Sequence, residues 1–117
     1  MSTITRHHTN ARMSQIVQHG DTIYLAGQVG TAGASVAQQT QDILDQIDTL
    51  LGEVGSDKSR ILQAVIWLAD MADFDEMNGV YSSFFSQGRY PARTCVQSEK
   101  LFGGSLVEIT CVARLRT

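Results

Sequence analysis

Two short stretches carry side chains able to do chemistry. The segment YPARTCVQ (90–97) sets Arg93, Cys95 and Gln97 at alternate positions, and LVEIT (106–110) holds Glu108 as its lone carboxylate. In an extended chain alternate residues share a face, so Arg93 stands beside a thiol and an amide, with Ala92, Thr94 and Val96 on the other side. A guanidinium keeps its charge and offers a planar, bidentate donor to a carboxylate. A glutamate can hold or move a proton on a bound water. If the two strands are near neighbours, Arg93 and Glu108 share one wall. That arrangement has two readings: a structural ion pair, which at a surface is worth little, or a small site in which Arg93 clamps a carboxylate and Glu108 handles a proton. Residue pattern leaves both open.

Other reactive residues offer less. His7, His8 and His19 fall in a polar tail and at a turn, without metal-ligand spacing, and are expected to be solvated. Cys95 beside Arg93 has a route to a lowered pKa, but a strand cysteine more often packs as a small apolar residue. The stretch GQVGTAG (27–33) has neither the lysine of a P-loop nor GxGxxG spacing. Asn78, on the polar flank of a helix, reads as an exposed amide. Trp67, Phe84 and Phe85 read as core.

The elements that must position these groups follow from periodicity. Residues 14–18 and 22–29 are strand-like, and Gly20-Asp21 between them is a tight-turn pair, which predicts a hairpin. The glycines after it predict a loop or a close backbone approach. Residues 35–54 form the clearest helix: Val36, Ile43, Leu44, Ile47 and Leu51 recur at three- and four-residue steps, Ser35 with Gln38 is a capping box, and Gly55 is the stop. Residues 61–69 are a short apolar run, expected to be a central strand buried on both faces. A second helix is expected from Asp73, capped by Asp73 with Glu76 and stopped by Gly88. Strands over 92–98 and 106–116 follow, the last with Val107, Ile109, Cys111 and Ala113 facing one way and Glu108 and Thr110 the other.

The predicted order is β-β-α-β-α-β-β, an α+β class with a mixed sheet and both helices on one face. The chain is too short to supply a third layer, so the open face is expected to pack on sheets of other subunits.

Bulk properties bound the function classes. The 117 residues fit one domain spanning 1–117, and a hydrophobic fraction of 43% is enough for a core. The net charge is -3, and the nine Lys and Arg form no run. Such a surface is a poor match to nucleic acid, whose affinity comes from neutralised phosphates, and to a membrane surface. No stretch has the length of a membrane span, no apolar leader is evident, and two cysteines make neither a disulfide framework nor a zinc site. These features predict a cytoplasmic protein with reduced thiols.

Taken together, AGQVG (26–30), AVIWLADMADF (64–74), MNGVYSSFF (77–85), YPARTCVQ (90–97) and LVEITCVA (106–113) resemble the Rid family of reactive intermediate deaminases (the YjgF/YER057c/UK114 family). The resemblance covers nearly the whole chain. Pro-Ala-Arg-Thr-Cys-Val with a Val-Glu-Ile downstream is its most specific part. It implies a homotrimer of chorismate-mutase-like subunits whose sheets pack into a central barrel, with a cleft at each subunit interface. The implied activity is hydrolysis of reactive 2-imino and enamine acids, such as 2-aminoacrylate, to 2-keto acids and ammonia, without metal or organic cofactor. By the same resemblance Arg93 holds the substrate carboxylate and Glu108 orients or activates water. Cys95, the Gly27 backbone and Asn78 line the cleft.

The chain departs from the family pattern in places. Met13 stands where a cleft-closing tyrosine is usual, Ala26 and Gly30 replace a serine and a proline flanking GQ, and LFGGS (101–105) replaces a Leu-Pro. The carboxylate receptor is kept while the pocket walls differ, as in a divergent branch. Two further readings stay open: a non-enzymatic binder of small carboxylates or keto acids using the Arg93 clamp, and a ribonuclease or translation inhibitor, which the charge disfavours.

Overall fold

The computed structural model describes residues 3–116. Nine main elements follow one another: β1 (Ile4–Thr9), β2 (Ser14–His19), β3 (Thr22–Leu25), β4 (Gln28–Val29), α1 (Val36–Glu53), β5 (Ile61–Leu68), α2 (Phe74–Phe84), β6 (Ala92–Gln97) and β7 (Val107–Arg114). They build a seven-stranded mixed sheet in the order β1-β2-β3-β7-β5-β6, with β4 also paired to β7. β6 runs parallel to β5, as a strand-helix-strand crossover requires, and the other pairs are antiparallel. The α+β class and mixed sheet follow the sequence pattern, with two strands added. Among the described residues no helix is long and apolar enough to cross a membrane.

β1 corrects the expectation of a polar tail. Its residues are exposed and mostly polar, so no hydrophobic alternation marks them, yet they pair antiparallel along β2, from Ile4 opposite His19 to Thr9 opposite Ser14. His7 and His8 therefore sit on an edge strand, and the His8 ring lies 2.6 Å from the Glu53 carboxylate at the end of α1. β4 arises because the strand beginning at Thr22 breaks at Ala26-Gly27.

The core lies between one sheet face and the two helices. Ile16, Ile23, Ala64, Ile66, Val107, Ile109 and Cys111 come from the sheet, Ile43, Leu44, Ile47 and Leu51 from α1, and Met77 and Tyr81 from α2. Each fully buried Ile or Leu contributes about 1.5–3 kcal/mol. Ser35 caps α1 by accepting from the Gln38 N–H, while the Gln38 amide turns to Asp42 instead of closing the capping box. Gly55, at φ +80, follows the helix end. The box expected at α2 does not form. Asp73 makes no side-chain cap, and Glu76 accepts instead from the Ala37 N–H at the start of α1, tying the helices together. α2 also stops at Phe84, short of Gly88.

The central strand is half as buried as its composition suggests. In β5, Ala64, Ile66 and Leu68 are buried, but Val65 and Trp67 are only half-buried because no layer of this chain covers their face. Tyr24 (47% exposed) and Val96 (41% exposed) extend the same apolar surface.

Candidate active site

Arg93 lies opposite Ala64 in the parallel β5–β6 pair, so its side chain points to the helix-covered face. There its Nη1 donates to the Asn78 Oδ1 on α2 at 2.6 Å. The guanidinium carbon sits 4.9 Å from the centre of the Tyr81 ring and 5.5 Å from that of Phe74, so two aromatic faces flank the charge. Among the described residues no carboxylate lies within ion-pair distance of it. Asn78, Tyr81, Ser82, Tyr90, Pro91 and Arg93 line a cleft of about 430 Å³. Asn78 is thus half-buried and holds Arg93, contrary to the exposed amide read from its helix position.

Glu108 has a different setting. It lies opposite Trp67 on β5 and Val29 on β4, and it alternates with the buried Val107 and Ile109, so it belongs to the uncovered face. The expectation that Arg93 and Glu108 share one wall of one subunit does not hold: β5 separates their strands and their side chains leave opposite faces. Strand parity gives faces within a strand, but the relation between strands depends on pairing order, which is long-range.

The Glu108 cleft forms where the sheet splits. The Ala26 N–H still donates to the Gln15 carbonyl of β2 at 2.9 Å, but beyond it β4 follows β7 alone. The Gln28 amide bridges the split, donating to Gln15 Oε1 at 2.8 Å and to the Ala26 carbonyl at 3.1 Å. Met13, Gly27, Val29, Phe102 and Glu108 are among the residues lining a cleft of about 430 Å³ at this break. Gly27 lets the Glu108 carboxylate lie against the backbone: a Cβ there would meet the end of that side chain, which would have to swing away. Gly30 is constrained more firmly, since its Cβ would lie 2.7 Å from the backbone carbonyl oxygen of Gln39.

The structure therefore sorts the expected site residues into two separate clefts. Met13, Gly27 and Glu108 meet in one cleft, and Asn78 and Arg93 in the other. Cys95 lines neither; it packs against the core two residues beyond Arg93. Burial pushes its thiol pKa up, and the Arg93 charge pulls it only partly back, so its setting disfavours the thiolate. Burial likewise pushes the Tyr81 hydroxyl up to about 12, again partly offset by Arg93. Phe74, Tyr81 and Phe102 were missed from sequence as site residues. The first two carry a signal, lying four residues before and three residues after Asn78 on one helix, but aromatic residues at that spacing pack as core as readily as they line a cleft.

The fold and the two clefts define a small α+β protein with a half-buried guanidinium, Arg93, that has no ion-pair partner among the described residues, and a carboxylate, Glu108, set against a glycine. Residues 3–115 match the family model described as Endoribonuclease L-PSP, and the chain belongs to that family. It is 40% identical to the RutC family protein YoaB of Escherichia coli over 95% of this chain and 97% of that protein. It is 36% identical to the mouse protein named 2-iminobutanoate/2-iminopropanoate deaminase over 86% of this chain and 78% of that one. Among solved structures, NMB1025 of Neisseria meningitidis, a YjgF family member, superposes with a TM-score of 0.93 at 43% identity, covering 98% and 97% of the two chains. The fold is the chorismate-mutase-like fold of the YjgF proteins.

Proposed function

We propose that this protein hydrolyses 2-imino acids, and the enamines that tautomerise to them, to 2-keto acids and ammonia. The observation carrying this reading is Arg93: a half-buried guanidinium, anchored by Asn78 and flanked by two rings, with no carboxylate partner among the described residues. Such a charge is costly to keep unless a ligand neutralises it, and a carboxylate matches its geometry. The mouse relative named as an imine deaminase supports the choice of ligand.

In this mechanism Arg93 fixes the substrate carboxylate. Water adds through its oxygen to C2 of the iminium, which is already electrophilic, and Glu108 takes the proton released. Glu108 returns that proton to nitrogen; as the C2–N bond breaks, the hydroxyl on C2 gives its proton to Glu108 and becomes the keto group, and ammonia leaves. Because Arg93 and Glu108 occupy opposite faces, one chain cannot assemble this site. The uncovered apolar face of Tyr24, Val65, Trp67 and Val96 supports a homotrimer in which Arg93 of one protomer meets Glu108 of the next.

The test is ammonia release from imines generated in place by an amino-acid oxidase. Arg93→Ala is expected to lower kcat/KM by about 2–5 kcal/mol in transition-state free energy, as when one partner of a buried charge pair is removed. Equal rates for wild type and variant on every imine would sink the proposal.

A further inference from the structure

The most exposed large hydrophobic side chain among the described residues is Phe102, at 80%, and it lines the Glu108 cleft. It stands on a firmly tied turn. Its carbonyl accepts from both the Ser105 hydroxyl, at 2.7 Å, and the Ser105 N–H, at 3.2 Å. Gly103 and Gly104, at φ +64 and +73, take the left-handed conformations that this turn needs. Just beyond, the Leu106 N–H donates to the buried Gln39 amide oxygen at 3.0 Å, and its carbonyl accepts from the Ala69 N–H at 3.0 Å.

Met13, 40% exposed, lines the same cleft from the β1–β2 turn. That turn is also held: the Asn10 side-chain oxygen accepts from the Arg12 and Met13 N–H groups at 2.8 and 3.0 Å. Two built turns thus present two large apolar side chains around one carboxylate. Val29, Ala26 and Gly27 add further apolar wall beside the amides of Gln15, Gln28 and Gln46, in a space of about 430 Å³ that exceeds what a three-carbon imino acid fills.

We infer that Phe102, with Met13, forms a side-chain subsite that selects 2-imino acids bearing a large apolar side chain, aromatic or branched aliphatic, over the methyl-bearing one. This rests on the imine-hydrolase reading. Contact with the side chain excludes bulk solvent from the cleft while leaving room for the one attacking water at Glu108, and it adds binding that a methyl group cannot reach. Phe102 is then a specificity-determining residue, acting on the substrate's side chain and not on the reacting carbon.

The experiment compares wild type, Phe102→Ser and Phe102→Leu on imines derived from phenylalanine, leucine and alanine. Calorimetry of phenylpyruvate and pyruvate, the corresponding products, runs beside it. Wild type is expected to favour the phenylalanine- and leucine-derived imines and to bind phenylpyruvate more tightly than pyruvate. Phe102→Ser should lower the phenyl-to-methyl ratio of kcat/KM about tenfold or more, and Phe102→Leu should restore part of it. An unchanged ratio in Phe102→Ser, with imines still hydrolysed, overturns this inference and leaves the hydrolase reading standing. No hydrolysis of any imine by wild type, with phenylpyruvate preference still lost in Phe102→Ser, overturns the hydrolase reading and supports the subsite. A change of oligomeric state in Phe102→Ser, seen by light scattering, assigns the ring to a subunit contact and overturns the inference.

Discussion

Arg93 and Glu108 leave opposite faces of the same sheet, with β5 lying between their strands. No rotamer change brings them together within one chain. If both serve one reaction, each site takes them from different subunits.

This makes complementation a direct test. Arg93→Ala and Glu108→Gln are each expected to be nearly inactive. Unfolding and refolding them together as an equal mixture should recover activity, because some interfaces then join an intact Arg93 to an intact Glu108. Random assembly predicts roughly a quarter of the wild-type sites. Recovery no greater than the sum of the separate variants would show that Arg93 and Glu108 do not meet in one shared site.

Gly27→Ala tests how closely Glu108 is positioned. The added Cβ meets the Glu108 carboxylate, which must swing away. Since misplacement by about 1 Å can cost 10²-fold, kcat should fall by one to two orders of magnitude. KM should change less, because Arg93 is untouched, and the circular dichroism spectrum should be that of wild type.

Asn78→Ala removes the one side-chain hydrogen bond that Arg93 makes among the described residues, at 2.6 Å. A hydrogen bond to a charged group is worth about 1.5–3 kcal/mol, so carboxylate binding should weaken by a comparable amount. The effect belongs mainly in KM, and in the affinity for keto acids measured by calorimetry. A drop in kcat at unchanged KM would assign Asn78 to the chemical step instead.

Alkaline stability has a defined sign. Burial raises Tyr81 from 10.0 and Cys111 from 9.0, each to about 12. Their folded-state pKa values exceed the unfolded ones, so the folded state favours the neutral forms. That stability is fully present below about pH 9 and is lost as pH rises toward 12, so denaturation midpoints should fall across this window. The Tyr81 hydroxyl is also buried without a hydrogen-bond partner among the described residues. Tyr81→Phe should therefore stabilise the fold by about 1 kcal/mol and shallow the alkaline decline. A steeper decline in that variant would contradict the assignment.

Thiol labelling gives a further check on Cys95. Its pKa is raised by burial in spite of Arg93, so at pH 7–8 it should react with iodoacetamide more slowly than a free cysteine. Rapid labelling of Cys95 in the folded protein would show it to be an activated thiol.

Much of this protein is written locally. The repeat of Val36, Ile43, Leu44, Ile47 and Leu51 makes a helix whichever partner it meets, and Ser35 caps it as a short-range event. Alternation determines that Arg93 shares a face with Cys95, and that Glu108 opposes Val107 and Ile109, because the strand period is two. The glycine at position 27 could be read as marking a close approach, though not what approaches.

What only the tertiary structure decided is everything that depends on pairing across the chain. β1 has no apolar period of its own and exists because β2 offers it an edge. Val65 and Trp67 look like core in a run of apolar residues, yet this chain has no layer to cover them. Asn78 and Phe102 gain their roles from neighbours 15 residues or more away or from a cleft assembled by distant turns. The separation of Arg93 from Glu108 follows from the insertion of β5 between β6 and β7, a long-range hydrogen-bonding choice that no local period encodes.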